Sequence, residues 1–177
     1  SVVSATSCAR RRLIRDVRPR NRVHQAATPK MSTPFLASII GSFDRSFKMY
    51  GDLISSLDEA ALLSDLPNVP SNTIGLPLWC VVGARESYTR AITANEWSGF
   101  ACSLESVSQK VLVADALSSS ARAISTLLGS LDTFTDVQSR MILDLLEHEA
   151  AHHGQLIRYL FALRLSIPDS WRSRYSL

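Results

Sequence analysis

Residues 135–165 read TDVQSRMILDLLEHEAAHHGQLIRYLFALRL, and this stretch decides the fold. Apolar residues recur in it at intervals of three and four, which is the period of an amphipathic α-helix. Thr133 or Thr135 can cap the start, and Ile167-Pro168 stops the pattern, so the predicted helix ends near Leu165. Four large residues share one side and are predicted to face the core: Met141, Leu145, Leu156 and Tyr159.

Two histidines in this helix have the spacing of metal ligands. His148 and His152 are four residues apart, so both rings stand on one helical face and can reach the same ion. The alternative is a pair of ordinary polar residues on a half-exposed helix. A pair on an otherwise apolar face needs partners for both rings, which favours metal binding. His153 is about a hundred degrees further round, and we interpret it as a flank residue rather than a ligand.

Three more helices are predicted upstream of this stretch. The first begins at Thr33-Pro34 and keeps its period to Tyr50, and a short amphipathic piece follows from Leu53 to Leu66. The second runs from Leu76 to Ala94, and the third from Ser103 to Leu128. No stretch shows strand alternation or a hairpin turn signal. The sequence therefore predicts an all-α four-helix bundle, in which sites are built from side chains that face the interior.

The second predicted helix has a face rich in small side chains. Small residues leave room for a neighbouring helix or for a cavity. The face is formed by Leu76, Cys80, Gly83, Ala84, Ser87 and Ala91.

Charge is distributed unevenly along the chain. Residues 1–30 hold seven Arg and Lys30 against Asp16, a local charge of +7, while the other 11 basic and 15 acidic side chains give residues 31–177 a charge of −4. A mildly acidic domain lacks the basic footprint that nucleic-acid binding needs. No apolar run approaches the ~20 residues of a membrane span. We therefore predict neither a nucleic-acid partner nor a membrane partner.

The composition also divides the chain into two parts. Residues 1–30 are rich in Arg, Ser and Ala and nearly free of acids, which is typical of an organelle transit peptide. Because Met31 opens the first domain-like stretch, residues 1–30 can equally be an upstream extension of a gene model. A basic arm that binds nucleic acid is the third hypothesis. We predict one domain over residues 31–177, with the extension unpacked.

The cysteines indicate the compartment. Cys8, Cys80 and Cys102 are an odd number without framework spacing, which does not suit a disulfide scaffold. An intracellular, reducing compartment is the expectation: a chloroplast or mitochondrion if residues 1–30 are a transit peptide, and the cytoplasm otherwise.

One known family shares these features. HEAAHHGQLIRYL, residues 148–160, followed by Ile167-Pro168, resembles the closing helix of the DinB/YfiT-like superfamily, whose members carry a His-x-x-x-His pair just before Gly-Gln. The resemblance covers residues 31–177 and extends to GARESYTRAI in the second helix. It implies a four-helix bundle, often dimeric, that holds a divalent metal with three histidines. His148 and His152 match the pair of the last helix.

The third ligand position departs from that family's pattern. Where many relatives have a histidine, two apolar residues and a glycine, this chain has Cys80-Val81-Val82-Gly83. A thiolate binds zinc well, and a Cys-His-His set with an open fourth position is a catalytic zinc arrangement. The other common role of a free cysteine is that of a small buried hydrophobe. The resemblance thus implies His148, His152 and Cys80 as ligands of zinc, or of nickel or another divalent ion.

Four neighbouring side chains are candidates to support the ligands. Asp144 lies one turn before His148 and Gln155 lies three residues after His152 on the same helix, where each can orient an imidazole through its other nitrogen. Glu86 and Tyr88 of the second helix can face the same cavity, although Glu86 equally suits a solvated helix charge.

Two classes of function remain open. The resemblance implies a metal-dependent transferase or hydrolase acting on a small molecule, with a metal-bound low-molecular-weight thiol or water as nucleophile. The alternative is a non-catalytic helical-bundle interaction protein with a structural or decayed site. Some residues extend the apolar surface of the last helix beyond one face, which suits a homodimer interface as well as a deep core: Leu143, Leu146, Ile157 and Leu160.

A zinc protease is the third hypothesis for the function. His148-Glu149-x-x-His152 fits the HExxH signature, in which Glu149 would be the general base. No His or Glu follows His153 in the last 24 residues to supply a third ligand. The absence of predicted strands also leaves no edge for an extended peptide.

Overall fold

The structure is a computed structural model that describes residues 33–177. All regular secondary structure in this range is helical, which confirms the predicted all-α class. The predictions for residues 1–30 lie outside the described residues. The six helices are α1 Thr33–Ser56, α2 Glu59–Leu62, α3 Gly75–Ala94, α4 Lys110–Ser130, α5 Asp136–Ala162 and α6 Asp169–Tyr175.

The four long helices contact one another in a ring. Helix α3 packs against α4 and α5, α1 packs against the same two helices, and the short α6 contacts α1. Two clusters of buried apolar side chains lie between them. One includes Tyr50, Leu78, Leu156 and Trp171, and the other includes Phe43, Ala84, Ile124 and Leu145.

Helix α5 begins where the sequence predicts. The Thr135 side chain accepts a hydrogen bond from the Gln138 backbone N–H, and the Gln138 side chain accepts one in return from the Thr135 N–H. This capping box satisfies two backbone donors that a helix start would otherwise leave unpaired. The helix ends at Ala162, before the predicted end at Leu165, and Arg164 takes a left-handed conformation with φ 54°.

The third predicted helix starts later than expected. Residues 103–109 are irregular and α4 begins at Lys110, so the prediction of a helix from Ser103 was wrong. Side chains of α3 instead hydrogen-bond to backbone groups in this segment and just before it. The Ser87 Oγ accepts from the Ala101 N–H at 3.0 Å and donates to its carbonyl at 3.1 Å, and the Trp79 indole donates to the Leu104 carbonyl at 3.0 Å.

Two glycines of α3 make this close approach possible. A Cβ on Gly83 would lie 2.3 Å from Phe100 Cζ, and one on Gly75 would lie 2.7 Å from Val107 Cβ. Both distances are far below van der Waals contact, so any side chain there would displace the segment. The small-residue face of α3 thus makes room in part for a crossing segment, residues 100–107.

The ends of the described region also differ from the prediction. Helix α1 continues to Ser56, and only the four-residue α2 lies in the remainder of the predicted amphipathic piece. Helix α6 was not predicted, because the apolar period stops at Ile167-Pro168. Its Trp171 is fully buried and donates from Nε1 to the Met49 carbonyl at 2.7 Å. A single tryptophan therefore anchors α6 to α1.

Helix α4 is long and apolar enough to cross a membrane, judged by length and composition alone. The core helix of a folded domain passes the same test, but such a helix is mostly buried, whereas 28% of the apolar window of α4 is buried. The buried apolar residues of α4 lie in the two apolar clusters: Val113, Leu117, Ile124 and Leu128. The predicted lack of a membrane partner stays a prediction.

Candidate metal centre

The side chains of Cys80, His148 and His152 converge between α3 and α5. Their candidate ligand atoms all lie within 4.8 Å of one another, and Cys80 Sγ is 3.7 Å from His148 Nε2. In a tetrahedral zinc site, Zn–N distances of about 2.0–2.1 Å and a Zn–S distance of about 2.3 Å place nitrogen and sulfur about 3.5 Å apart. The three groups therefore need to move inward by only roughly 1 Å to surround one ion.

Both histidines are in the protonation state that binds metal. Their rings are in contact, with centroids 4.5 Å apart, and both are half-buried. Burial lowers the pKa of His148, and burial together with neighbouring His148 lowers the pKa of His152 to about 4. Neutral imidazoles at pH 7 carry the lone pair that a metal ion requires.

Gln155 orients one of the two rings. Its Oε1 lies 2.9 Å from His152 Nδ1. An amide oxygen can only accept, so Nδ1 holds the proton and Nε2 keeps a lone pair for an ion. The predicted role of Gln155 as an orienting residue is confirmed in its geometry.

The other three predicted supports do not join the cluster. Within residues 33–177, Asp144 forms no hydrogen bond to His148. The Glu86 carboxylate accepts hydrogen bonds from the backbone N–H and hydroxyl of Ser103 and so holds the crossing segment. The Tyr88 ring packs against Trp97, with centroids 5.1 Å apart.

Cys80 is disulfide-bonded, while Cys102 is a free thiol. The sequence analysis, which argued from the odd number of cysteines against a disulfide scaffold, did not predict this bond. The form of cysteine that binds metal is the thiolate, and a disulfide sulfur lacks its charge. Of the three candidate ligands, Cys80 therefore could bind an ion only after reduction of its disulfide. Burial raises the pKa of Cys102 to about 11, so that thiol stays protonated.

Glu149, next to His148 in the chain, points away from the candidate ligands into the core. Arg85 of α3 binds its carboxylate through two hydrogen bonds, Nε to Oε1 at 2.6 Å and Nη2 to Oε2 at 2.9 Å. The Ser46 hydroxyl of α1 donates to Oε2 as well. Burial alone would raise the pKa of Glu149, but Arg85 and Ser46 outweigh it and lower that pKa. Glu149 is thus a buried, fully paired carboxylate.

His153 extends this pairing to α6. Its Nε2 lies 3.1 Å from Ser46 Oγ, and its Nδ1 lies 2.8 Å from the Tyr175 hydroxyl. Since Ser46 gives its proton to Glu149, Nε2 must donate to Ser46, which leaves Nδ1 to accept from Tyr175. Burial lowers the pKa of His153 to about 4, which agrees with a neutral ring. The bonds run in one direction, Tyr175 to His153 to Ser46 to Glu149.

We call Ser46, Arg85, Glu149, His153 and Tyr175 the buried network. It joins α1, α3, α5 and α6, and it fixes α5 against α3 next to the candidate ligands. His153 lies outside the ligand group, as predicted, but it is 5% exposed and packs on the Tyr50 and Trp171 rings, so its interpretation as a flank residue was wrong.

The pairing of Glu149 also weighs against the protease reading. A general base must reach a water molecule at the metal. The Glu149 carboxylate instead receives three hydrogen bonds in the core and is 1% exposed. The HExxH spacing here combines residues of two different helical faces. The histidines lie on the face of the candidate metal centre, and the glutamate lies on the face that packs in the core.

Sequence reasoning missed Arg85, which is fully buried. One available signal was its position next to Gly83 and Ala84, two residues of the small-residue face. A lone arginine there requires a buried acid, and Glu149 was available on the opposing helix.

No protein-family model matches the sequence, and no curated protein is detectably similar to it. The resemblance to the DinB-like superfamily therefore rests on the residues of α3 and α5 alone.

Proposed function

We propose that this chain is a DinB-like metal-binding protein, a four-helix bundle of α1, α3, α4 and α5 that holds one divalent ion. His148 and His152 bind the ion, and Cys80 joins them in the reduced protein. The observation that carries the proposal is the convergence of three ligand atoms within 4.8 Å. Zinc suits this donor set best, and nickel is the next candidate.

The number of ligands supports an enzyme over a structural site. Three protein ligands leave one tetrahedral position for water or substrate, whereas structural zinc is enclosed by four. A bound ion there supplies a lowered pKa for a coordinated water or small thiol. Of the chain's own residues, Gln155 orients one ligand, His152, while the buried network stabilises the packing of α5 against α3. The proposed activity is that of a metal-dependent transferase or hydrolase on a small molecule.

The thiolate ligand gives the proposal a redox condition. Reduction of the Cys80 disulfide by two electrons and two protons yields two thiols, and the Cys80 thiol loses its proton on binding metal. A reducing compartment would therefore favour the three-ligand form. The histidine pair alone would hold metal more weakly.

A non-catalytic interaction protein is the second candidate. Exposed apolar side chains on α5 favour it, with Leu143 at 47% and Phe161 at 57% exposure. Leu160, for which the sequence left a dimer interface and the core open, is buried in the core. A homodimer through Leu143 and its neighbours is compatible with both candidates.

Cobalt(II) spectroscopy tests the proposed site. Protein reduced with a phosphine should bind about one Co²⁺ with the intense visible bands of tetrahedral geometry and a sulfur-to-cobalt charge-transfer band. Cys80→Ser should lose the charge-transfer band, while Cys102→Ser, the matched control, should keep it. Cys80→His should bind at least as tightly as Cys80→Ser. Loss of the band in Cys102→Ser instead would refute the ligand assignment.

The same sample separates the two candidate functions. Adding 2-mercaptoethanol should shift the cobalt bands if a fourth position is open to an exogenous thiol. An unchanged spectrum at saturating thiol would indicate a closed structural site and favour the interaction protein.

A further inference from the structure

A cleft of about 260 Å³ opens along α5, one turn beyond His152. One wall is α5, which contributes Gln155, Arg158 and Tyr159, and the other is the segment of residues 66–72 between α2 and α3. Gln155 lines the cleft and also contacts the candidate metal centre, because its Oε1 accepts a hydrogen bond from His152 Nδ1. The cleft therefore adjoins the candidate metal centre through one side chain.

The lining of the cleft has the chemistry of an anion site with an apolar side. Arg158 is the one ionised side chain among the lining residues, and within residues 33–177 it forms no ion pair. Leu66, Val69 and Pro70 supply apolar surface on the opposite wall. A guanidinium presents parallel N–H groups that match a carboxylate.

The wall opposite α5 is held in place by hydrogen bonds. The Tyr159 hydroxyl donates to the Asn72 carbonyl, and the Leu66 N–H donates to Ser71 Oγ at 2.7 Å. The Ile74 N–H donates to the Ser64 carbonyl at 3.0 Å, which closes the base of the loop. A cleft whose walls are fixed in this way is largely preformed for a small ligand.

We propose that this cleft binds the carboxylate end of a small organic acid, with Arg158 holding the carboxylate and the apolar wall holding the adjoining chain. Gln155 lines the cleft and contacts His152 on the Nδ1 side of the ring, and from this shared side chain we extend the proposal by one step: the acid bound there is the substrate of the metal centre. Only this last step rests on the proposed function. The binding of the carboxylate depends on Arg158 and the cleft alone.

NMR titration of the metal-free protein tests the cleft by itself. Butyrate should shift the Gln155 side-chain amide and the Arg158 Nε–H, while 1-butanol and butylammonium, which match it in size, should bind at least about tenfold more weakly. Arg158→Gln should weaken butyrate binding about tenfold or more. Arg140→Gln, an exposed arginine of the same helix outside the cleft, should leave it unchanged.

Three results would overturn the carboxylate assignment: equal binding of butyrate and butanol, full butyrate affinity in Arg158→Gln, or tighter binding of inorganic phosphate than of butyrate. The last result would identify a phosphate site.

A paramagnetic measurement tests the link to the metal centre. In the cobalt-loaded protein, the protons of bound butyrate should relax faster than in the zinc-loaded protein. Butyrate that binds but shows no enhancement would refute the link while the metal site stands. Butyrate binding to a protein that takes up no cobalt would refute the proposed function and leave the cleft intact.

Discussion

Two pairs of side chains, one residue apart on α5, have opposite environments. His148 and His152 are half-buried and turn ring nitrogens toward Cys80 and Gln155. Glu149 and His153 have the same spacing of four residues but lie in the core, with hydrogen bonds that reach α1, α3 and α6. The first pair has capacity left for a ligand, and the second has none. The four-residue spacing identifies which side chains share a helical face. The residues that surround each pair determine whether that pair can bind a ligand or stabilises the fold.

The largest expected effect is on stability, at the second pair. Glu149→Gln leaves Arg85 buried without a counter-charge and should lower the free energy of unfolding by about 3–5 kcal/mol. Molecules that remain folded should still bind metal. Urea denaturation measures the loss, with Glu147→Gln, an exposed glutamate two residues away, as the control that changes stability by less than about 0.5 kcal/mol. Equal stability of the two variants would show that the buried pair is not structural.

The pH dependence should reflect both pairs in the metal-free protein. Folding lowers the pKa of His152 and His153 to about 4, while both titrate near 6.5 in the unfolded chain. Between these values the unfolded state binds more protons, so stability rises with pH, by at most about 3 kcal/mol per histidine. The Glu149 contribution, present above its unfolded pKa, is lost at lower pH as the carboxylate protonates. Denaturation from pH 4 to 8 should show this slope, and a flat profile below pH 6.5 would contradict neutral histidines.

Loss of the side chain that orients His152 should have an intermediate effect, which is limited to metal binding by the first pair. Gln155→Ala removes the acceptor for Nδ1–H and should weaken metal binding about 10-fold to 100-fold. Gln155→Glu retains an acceptor and should restore most of the affinity. Competition with a chelator measures both constants. Unchanged affinity in Gln155→Ala would mean that the ring is positioned by packing alone.

Tyr175→Phe should have the smallest effect. It removes the donor to His153 Nδ1 and should cost about 1 kcal/mol of stability, with no change in metal affinity. Ser173→Ala, an exposed position on the same short helix, is the control. Calorimetry measures both. A change in metal affinity for Tyr175→Phe would show that the two pairs are coupled.

The parts of the fold with strong local signals were predictable. Helix α3 lies within one residue of its predicted bounds, and α5 begins at the Thr135 cap. The segment of residues 103–109 was not predictable, because Val107 falls at a helical interval by chance. The stretch of residues 100–107 instead packs closely over Gly75 and Gly83, which are distant in the sequence.

The candidate site divides in the same way. The spacing of His148 and His152 is local, so the sequence indicated it directly. The pairing of Arg85 with Glu149 joins residues 64 positions apart, and no periodicity encodes it. The disulfide of Cys80 is a chemical state, and cysteine counting alone did not predict it.

The metal content of the purified protein tests the central claim most directly. Reduced wild-type protein, prepared without chelator, should carry about one equivalent of divalent metal by mass spectrometry. His148→Ala and His152→Ala should lose most of it, and folded Glu149→Gln should keep it. Wild-type protein without metal after zinc addition, or equal loss in the histidine and Glu149 variants, would contradict the assignment of binding to one pair and stability to the other.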